Sequence, residues 1–207
     1  MLENKIKIGI IDYECGNILS VKRSIERLNY DCFLVKNKKQ LANCTKVILP
    51  GVGNYKIAIS KLKKKKLYTP IVDYIKRGKP ILGICLGMQI LMRSSQEEGS
   101  KKNGFNVIEG KVEKIPLEKK RKIPNIGWCK VFFGDKNLKF KTNEFYFVHS
   151  YHAIPKYKKN FYAFIKYGKQ KLCAVVKKDN ILGCQFHPEK SSTQGLLFMK
   201  YFIENFK

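Results

Sequence analysis

One stretch of this chain has the residue types and spacing to attack a carbonyl. In Pro80–Met92, PILGICLGMQILM, an apolar run leads into Gly83, Ile84, Cys85, Leu86 and Gly87 and then into a helical pattern. A nucleophile with small residues two positions before and two after it sits on a sharp strand-to-helix turn, which presents its side chain at the carboxyl end of a sheet. The helix that begins there adds free backbone N–H groups and a favourable field, which support a thiolate and can hold an oxyanion. A buried cysteine between packing glycines is the competing reading, but it does not require the strand–turn–helix context.

A thiolate needs a proton shuttle, and the chain contains 3 histidines. His149 and His152 flank Ser150 and Tyr151 after an apolar run, whereas His187 follows the run Ile181–Phe186 and precedes Pro188 and Glu189. A histidine at a strand end, with a carboxylate two residues on and a proline that stops the ladder, can be oriented for acid–base work. Cys85, His187 and Glu189 form the candidate catalytic set, with a surface histidine beside a turn glutamate as the alternative. A third element, LPGVGNY at Leu49–Tyr55, also lies where a strand gives way to a helix. Its glycines let backbone N–H groups point outward and could complete an oxyanion hole opposite Cys85. Phosphate binding competes for this turn, although neither GxGxxG nor a GKS or GKT ending is present.

Strands alternating with helices must hold these groups. Lys5–Ile11, Asp31–Val35, Lys46–Leu49 and Pro80–Ile84 read as strands, Asn17–Leu28 as an amphipathic helix, and Asn54–Arg77 as a helical stretch ending at Gly78. That alternation predicts βαβ units around a mostly parallel central sheet flanked by helices, an α/β class. From about Phe105 the pattern changes to short runs (Phe145–Val148, Phe161–Ile165, Lys171–Val176, Ile181–Phe186), which predict antiparallel hairpins beside the parallel sheet and an additional small antiparallel sheet. Lys177–Asn180 is a turn signal between two of them, and Ser192–Asn205 reads as a closing helix. No linker, repeat or low-complexity tract divides the 207 residues, so a single domain over 1–207 is expected.

Composition narrows the class. A hydrophobic fraction of 44% and an aromatic fraction of 12% belong to a chain with a packed core. Met1–Lys7 is followed by an apolar run broken at Asp12, too short for a secretory signal, and no stretch has the length of a membrane span; a soluble, cytoplasmic protein is expected. The 7 cysteines have no CxxC pair, a pattern that fits neither a disulfide framework nor a zinc site. The net charge of +26 raises the question of nucleic acid. The basic residues are mostly lysines scattered along the chain, the run Lys63–Lys66 reads as a solvated helix face, and no recognised RNA- or DNA-binding motif accompanies them, so a nucleic-acid-binding scaffold is the disfavoured reading.

Taken together, the motifs resemble those of class I (triad) glutamine amidotransferases, which share the elbow G-x-C-x-G, a glutamine four residues after the cysteine (here Gln89) and a late HPE, here His187–Glu189. Within that class, IDYxxGN at Ile11–Asn17, LPGVG at Leu49–Gly53, GICLGMQ at Gly83–Gln89, IGW at Ile126–Trp128, FVHSY at Phe147–Tyr151 and QFHPEKS at Gln185–Ser191 are similar to the glutaminase subunits of imidazole glycerol phosphate synthases. The anthranilate, GMP and carbamoyl phosphate relatives share the triad but not this combination. The resemblance implies that Cys85 attacks the glutamine side-chain amide while His187, oriented by Glu189, moves protons. Backbone N–H groups of Leu86 and of Gly51–Val52 would hold the oxyanion, and Gln89 with Ser150 and Tyr151 would hold L-glutamine. It further implies a TIM-barrel cyclase partner in a heterodimer that receives the ammonia for histidine biosynthesis, with Asn17, Trp128 and Lys190 facing it, and neither a metal nor a cofactor. This chain departs from the family pattern at Glu14, Cys15, Asn125 and Cys129, all expected on the partner side. A paralogue that supplies ammonia to a sugar amidotransferase in surface-polysaccharide synthesis is the alternative.

Overall fold

Short apolar runs bounded by Gly, Pro and Asn become strands, and the amphipathic stretches between them become helices, in the computed structural model, which describes residues 6–97, 104–117, 122–134 and 143–207. The first half alternates β1 (Ile8–Ile11), α1 (Ile18–Glu26), β2 (Cys32–Val35), α2 (Lys38–Ala42), β3 (Lys46–Leu49), α3 (Tyr55–Lys64), α4 (Tyr68–Lys76), β4 (Ile81–Ile84) and α5 (Leu86–Ile90). After β5 (Ser94–Ser95) the chain is mostly strand: β6 (Gly110–Lys114), β7 (Asn125–Phe133), β8 (Glu144–His149), β9 (Tyr151–Pro155), β10 (Phe161–Tyr167), β11 (Gln170–Lys178) and β12 (Ile181–Cys184). Helix α6 (Ser192–Asn205) ends it.

The main sheet has 9 strands in the order β2-β1-β3-β4-β12-β11-β10-β7-β8. Strands β2 through β12 in that order pair parallel, and the remaining four continue the same sheet antiparallel, so the hairpins extend the sheet edge to edge where the sequence suggested packing beside it. A separate sheet of 3 strands, β5-β6-β9, includes the antiparallel pair β6–β9.

Alternation along the central strands builds a core on each face. Ile8, Ile10, Ile48, Leu82 and Ile84 pack with Val21 and Ile25 of α1 and with Phe198, Met199 and Phe202 of α6. Ile11, Val47, Leu49 and Ile81 pack on the opposite side with Leu41 of α2, Leu62 of α3, Ile71 of α4 and Met88 of α5. Strands buried on both faces read as continuous apolar runs because each side chain meets a helix whichever way it points. Among the described residues no helix is long and apolar enough to cross a membrane.

The stretch Asn54–Arg77 is two helices, a correction to the single one expected. Lys66 takes φ +54 between α3 and α4. A continuous helix would need the N–H of residue 70 to bond back to residue 66, and Pro70 has none; restarting at Tyr68 puts that proline in a first turn, where no donor is required.

Candidate active site

Adjacent parallel strands deliver the reactive groups. In the order β3-β4-β12, the glycine turn follows β3, Cys85 follows β4 and His187 lies just past the end of β12. Carboxyl ends of neighbouring parallel strands are where open α/β sheets form their ligand clefts. Cys85 has φ +52 and ψ −107, a conformation disfavoured for a side chain with a Cβ, and its N–H is held by the Cys184 carbonyl at 2.7 Å. The flanking glycines make that turn possible. A Cβ on Gly83 would come within 2.8 Å of the Gly87 backbone, and one on Gly87 would overlap the Leu49 carbonyl.

His187 and Glu189 meet as their spacing predicts. The imidazole Nδ1 lies 2.8 Å from Glu189 Oε1, with the two side chains 3% and 1% exposed. The His187 N–H is fixed by the Tyr146 carbonyl at 2.9 Å, and the Ser191 hydroxyl donates to the His187 carbonyl at 2.6 Å. Burial alone would lower the imidazole's pKa. Hydrogen bonding and charge from Cys85 and Glu189 together outweigh burial and push it up to about 10. Nε2 is buried on the Cys85 side. A thiol, an imidazole and a carboxylate in this order can generate a thiolate–imidazolium pair.

A cleft of about 360 Å³ opens over these groups, lined by Val52, Cys85, Leu86, Gln89, Ser150, Tyr151 and His187. The structure brings the sequence-predicted catalytic and substrate residues to it except Glu189, which is buried behind His187, and Gly51, which lies just behind Leu86. One expected arrangement differs. The Leu86 N–H donates to the Gly51 carbonyl at 3.3 Å, so the oxyanion donor predicted there is occupied by the glycine turn itself. The turn is in turn anchored by the Tyr13 hydroxyl, which donates to the Pro50 carbonyl at 2.8 Å. Gln89 Nε2 donates to the Tyr151 carbonyl at 2.9 Å and to Gln185 Oε1 at 3.1 Å, and the Ser150 carbonyl accepts from Ile115 N–H at 2.8 Å. These bonds fix the segment Ser150–Tyr151 as one wall of the cleft.

Two groups at the site escaped the sequence reading. Glu97 lines the cleft and accepts from Tyr55 N–H, at the start of α3, at 2.9 Å; it lies beyond the elbow helix in a stretch with no motif to flag it. Gln185 is fully buried, and its Nε2 donates to Cys85 Sγ at 3.5 Å. It stands two residues before His187 inside a motif already quoted, which was the available signal.

The residues expected to face a partner lie on the surface away from the cleft lining. Trp128 is 53% exposed and meets Tyr146 edge-on at 6.1 Å, and the turn carrying exposed Lys190 adjoins both α1 and β8. Asn17 precedes α1 without making a side-chain capping bond. Ile126 and Val148, opposite one another on β7 and β8, are exposed beside Trp128 and extend an apolar face to the cleft. Asn125 departs from expectation: strand alternation turns it inward, and it is hydrogen-bonded to His149 Nε2 at 3.1 Å. Cys129 lies 3.8 Å from the same amide, Cys15 is buried, and Glu14 is exposed and paired with Lys65 at 2.8 Å.

The profile of the glutamine amidotransferase class-I family matches residues 9–204. The imidazole glycerol phosphate synthase subunit HisH of Prochlorococcus marinus subsp. pastoris is 43% identical over 203 residues, covering 96% of this chain and 98% of that protein. The protein of the same name from Caldanaerobacter subterraneus subsp. tengcongensis is 42% identical over 205 residues, covering 97% and 98%. Among solved structures, a glutamine amidotransferase superposes with a TM-score of 0.72 at 18% identity over 95% of this chain and 97% of that one. PurLQS from Thermotoga maritima superposes with a TM-score of 0.71 at 17% identity over 98% and 100%. At that identity these two likenesses speak for the fold.

Proposed function

The chain belongs to the glutamine amidotransferase class-I family, and from that premise we propose that it is the glutaminase subunit of an imidazole glycerol phosphate synthase, releasing ammonia from glutamine at Cys85. The observation that carries the chemistry is Cys85 on its strained turn beside the buried His187–Glu189 pair. The near-full-length likeness to proteins named HisH supports histidine biosynthesis as the destination.

In the mechanism we propose, glutamine lies in the cleft with its side-chain amide over Cys85, and the Glu97 carboxylate in the wall suits its α-ammonium group. The thiolate attacks the amide carbon, and the carbonyl electron pair moves onto oxygen. Leu86 N–H and the peptide N–H of the Gly51–Val52 turn receive that oxyanion once the Gly51 carbonyl rotates away from Leu86. Such donors contribute about 10²–10³ in rate apiece. Protonated His187 gives its proton to the departing nitrogen, so ammonia leaves and a glutamyl thioester remains. The now neutral imidazole takes a proton from water, hydroxide adds to the thioester, and collapse releases glutamate and the thiolate.

The apolar face at Ile126, Trp128 and Val148, with Asn17 and Lys190 at its border, suits a synthase partner, which in this reading is a TIM-barrel cyclase taking up the ammonia. A reduced thiol nucleophile agrees with a cytoplasmic setting. The test is glutamate release by the complex with its cognate barrel synthase, comparing wild type with Cys85→Ala. A loss of at least about 10³-fold is expected. Undiminished hydrolysis would overturn the nucleophile, and co-purification with a sugar-modifying enzyme in place of the barrel would overturn the pathway.

A further inference from the structure

We propose that Gln185 is a positioning residue for the nucleophile, donating its amide N–H to the Cys85 sulfur in an orientation dictated by a hydrogen-bonded relay through Gln89 and the Tyr151 carbonyl. The proposal rests on the reading of Cys85 as the nucleophile.

Direction in the relay is fixed by its one invariant member. A backbone carbonyl can only accept, and the Tyr151 carbonyl stands 2.9 Å from Gln89 Nε2 and 2.9 Å from His149 Nδ1. Gln89 must therefore turn its NH₂ toward Tyr151, and the same NH₂ faces the Gln185 side chain at 3.1 Å. Gln185 can meet it only with oxygen. Its own NH₂ is then left facing Cys85 Sγ at 3.5 Å. Flipping either amide would set two acceptors or two donors against each other, in a site where Gln89 is 5% and Gln185 0% exposed and no solvent could repair the mismatch. The same logic fixes His149 with its proton on Nδ1, so Nε2 accepts from Asn125 Nδ2 at 3.1 Å. The relay thus begins on β7, the strand that also carries Trp128, and ends on the sulfur.

An N–H aimed at sulfur from fully buried surroundings gives the sulfur a fixed donor and restrains its rotamer. His187 acts on the same sulfur but gives up its proton during turnover, whereas Gln185 does not. Its bond persists through attack and thioester breakdown, and so holds the sulfur while the imidazole changes charge.

Gln185→Met keeps the length of the side chain and removes the donor. With the synthase partner present, kcat is expected to fall about 10-fold or more with KM for glutamine within about twofold, because the lost contact is to the nucleophile and not to the ground-state substrate. Alkylation of Cys85 by iodoacetamide at neutral pH, located by peptide mass mapping, should slow by a similar factor. The variant Gln185→Leu, of similar size and with no donor, supplies the same comparison should Gln185→Met fold poorly by circular dichroism. In a double-mutant cycle with Gln89→Met, the kcat losses should be markedly less than multiplicative, since Gln89 acts on sulfur through Gln185. Unchanged kcat and alkylation rate in a folded Gln185 variant, or multiplicative losses in the cycle, would overturn the proposal. An active Cys85→Ala enzyme would instead overturn the nucleophile on which it rests.

Discussion

Replacing Glu189 by glutamine tests whether the buried carboxylate does more than hold a ring in place. Glu189→Gln preserves size and can still accept from His187 Nδ1, but removes the negative charge 2.8 Å away. Both side chains are almost fully enclosed, so solvent does not screen the pair. A hydrogen bond to a charged group contributes about 1.5–3 kcal/mol, and at about 1.4 kcal/mol per pKa unit its loss lowers the imidazole's proton affinity by about 1–2 units. His187 is raised to about 10 in the native chain, where the Cys85 and Glu189 interactions outweigh burial. A group raised above its unfolded value of about 6.5 adds stability that is fully present below that pH and disappears as pH climbs through about 10. In the variant the disappearance is complete at a lower pH. The native enzyme should therefore exceed Glu189→Gln by about 1.5–3 kcal/mol in urea unfolding near pH 6, and the gap should close towards pH 10. Glutamate release with saturating glutamine and partner should fall about 10- to 100-fold, with the alkaline limb of the profile displaced to lower pH. A kcat within threefold of native across the pH range, together with a stability difference independent of pH, would refute the reasoning.

Two further outcomes follow from other parts of the molecule. Trp128→Ala removes a half-exposed aromatic from the apolar rim, so isolated-chain stability should change by no more than about 0.5 kcal/mol while affinity for the synthase, measured by calorimetry, weakens by about 2 kcal/mol, or roughly 30-fold; unchanged affinity would remove Trp128 from the docking face. Burial lowers His149 to about 4, partly opposed by its bond to the Tyr151 carbonyl, so its neutral form supports the fold above about pH 6.5 and that support drains away as pH falls towards 4. His149→Gln should accordingly lose about 2–3 kcal/mol less than wild type between pH 7 and pH 4.5 in urea titrations; equal losses would show that other groups govern acid sensitivity.

Much of the site was legible because its chemistry is written in short spacings. A nucleophile elbow needs small residues at fixed offsets, and a side chain is excluded at Gly83 by the backbone of the same turn and at Gly87 by the Leu49 carbonyl. The His187–Glu189 pair needs only two residues of chain to come within 2.8 Å. Strands buried on both faces likewise announced themselves as apolar runs. Strands β6, β7 and β9 did not. Asn125–Phe133 alternates exposed Ile126, Trp128 and Lys130 with groups packed inward, and its first inward group is a polar Asn, so apolar content alone gives no strand signal.

What could not be read locally is the state of each polar group, because that depends on partners distant in sequence. Gln89 was assigned to the substrate on resemblance, yet its NH₂ is engaged by Tyr151 and by Gln185, 62 and 96 residues away. Asn125 was expected among partner-side departures, and strand pairing instead sets it against His149, 24 residues on. Both cases have one cause. A buried amide must satisfy donor and acceptor together, and the fold alone decides which groups are near enough to do so. Leu86 shows the functional side of the same rule: its N–H is held by the Gly51 carbonyl, the group that the proposed mechanism requires to be displaced. The polar groups around Cys85 thus divide into those whose bonds are closed within the chain, such as Gln185, and those whose present partner must yield, such as Leu86. That division separates the rigid part of the catalytic geometry from the part that must move in the proposed mechanism.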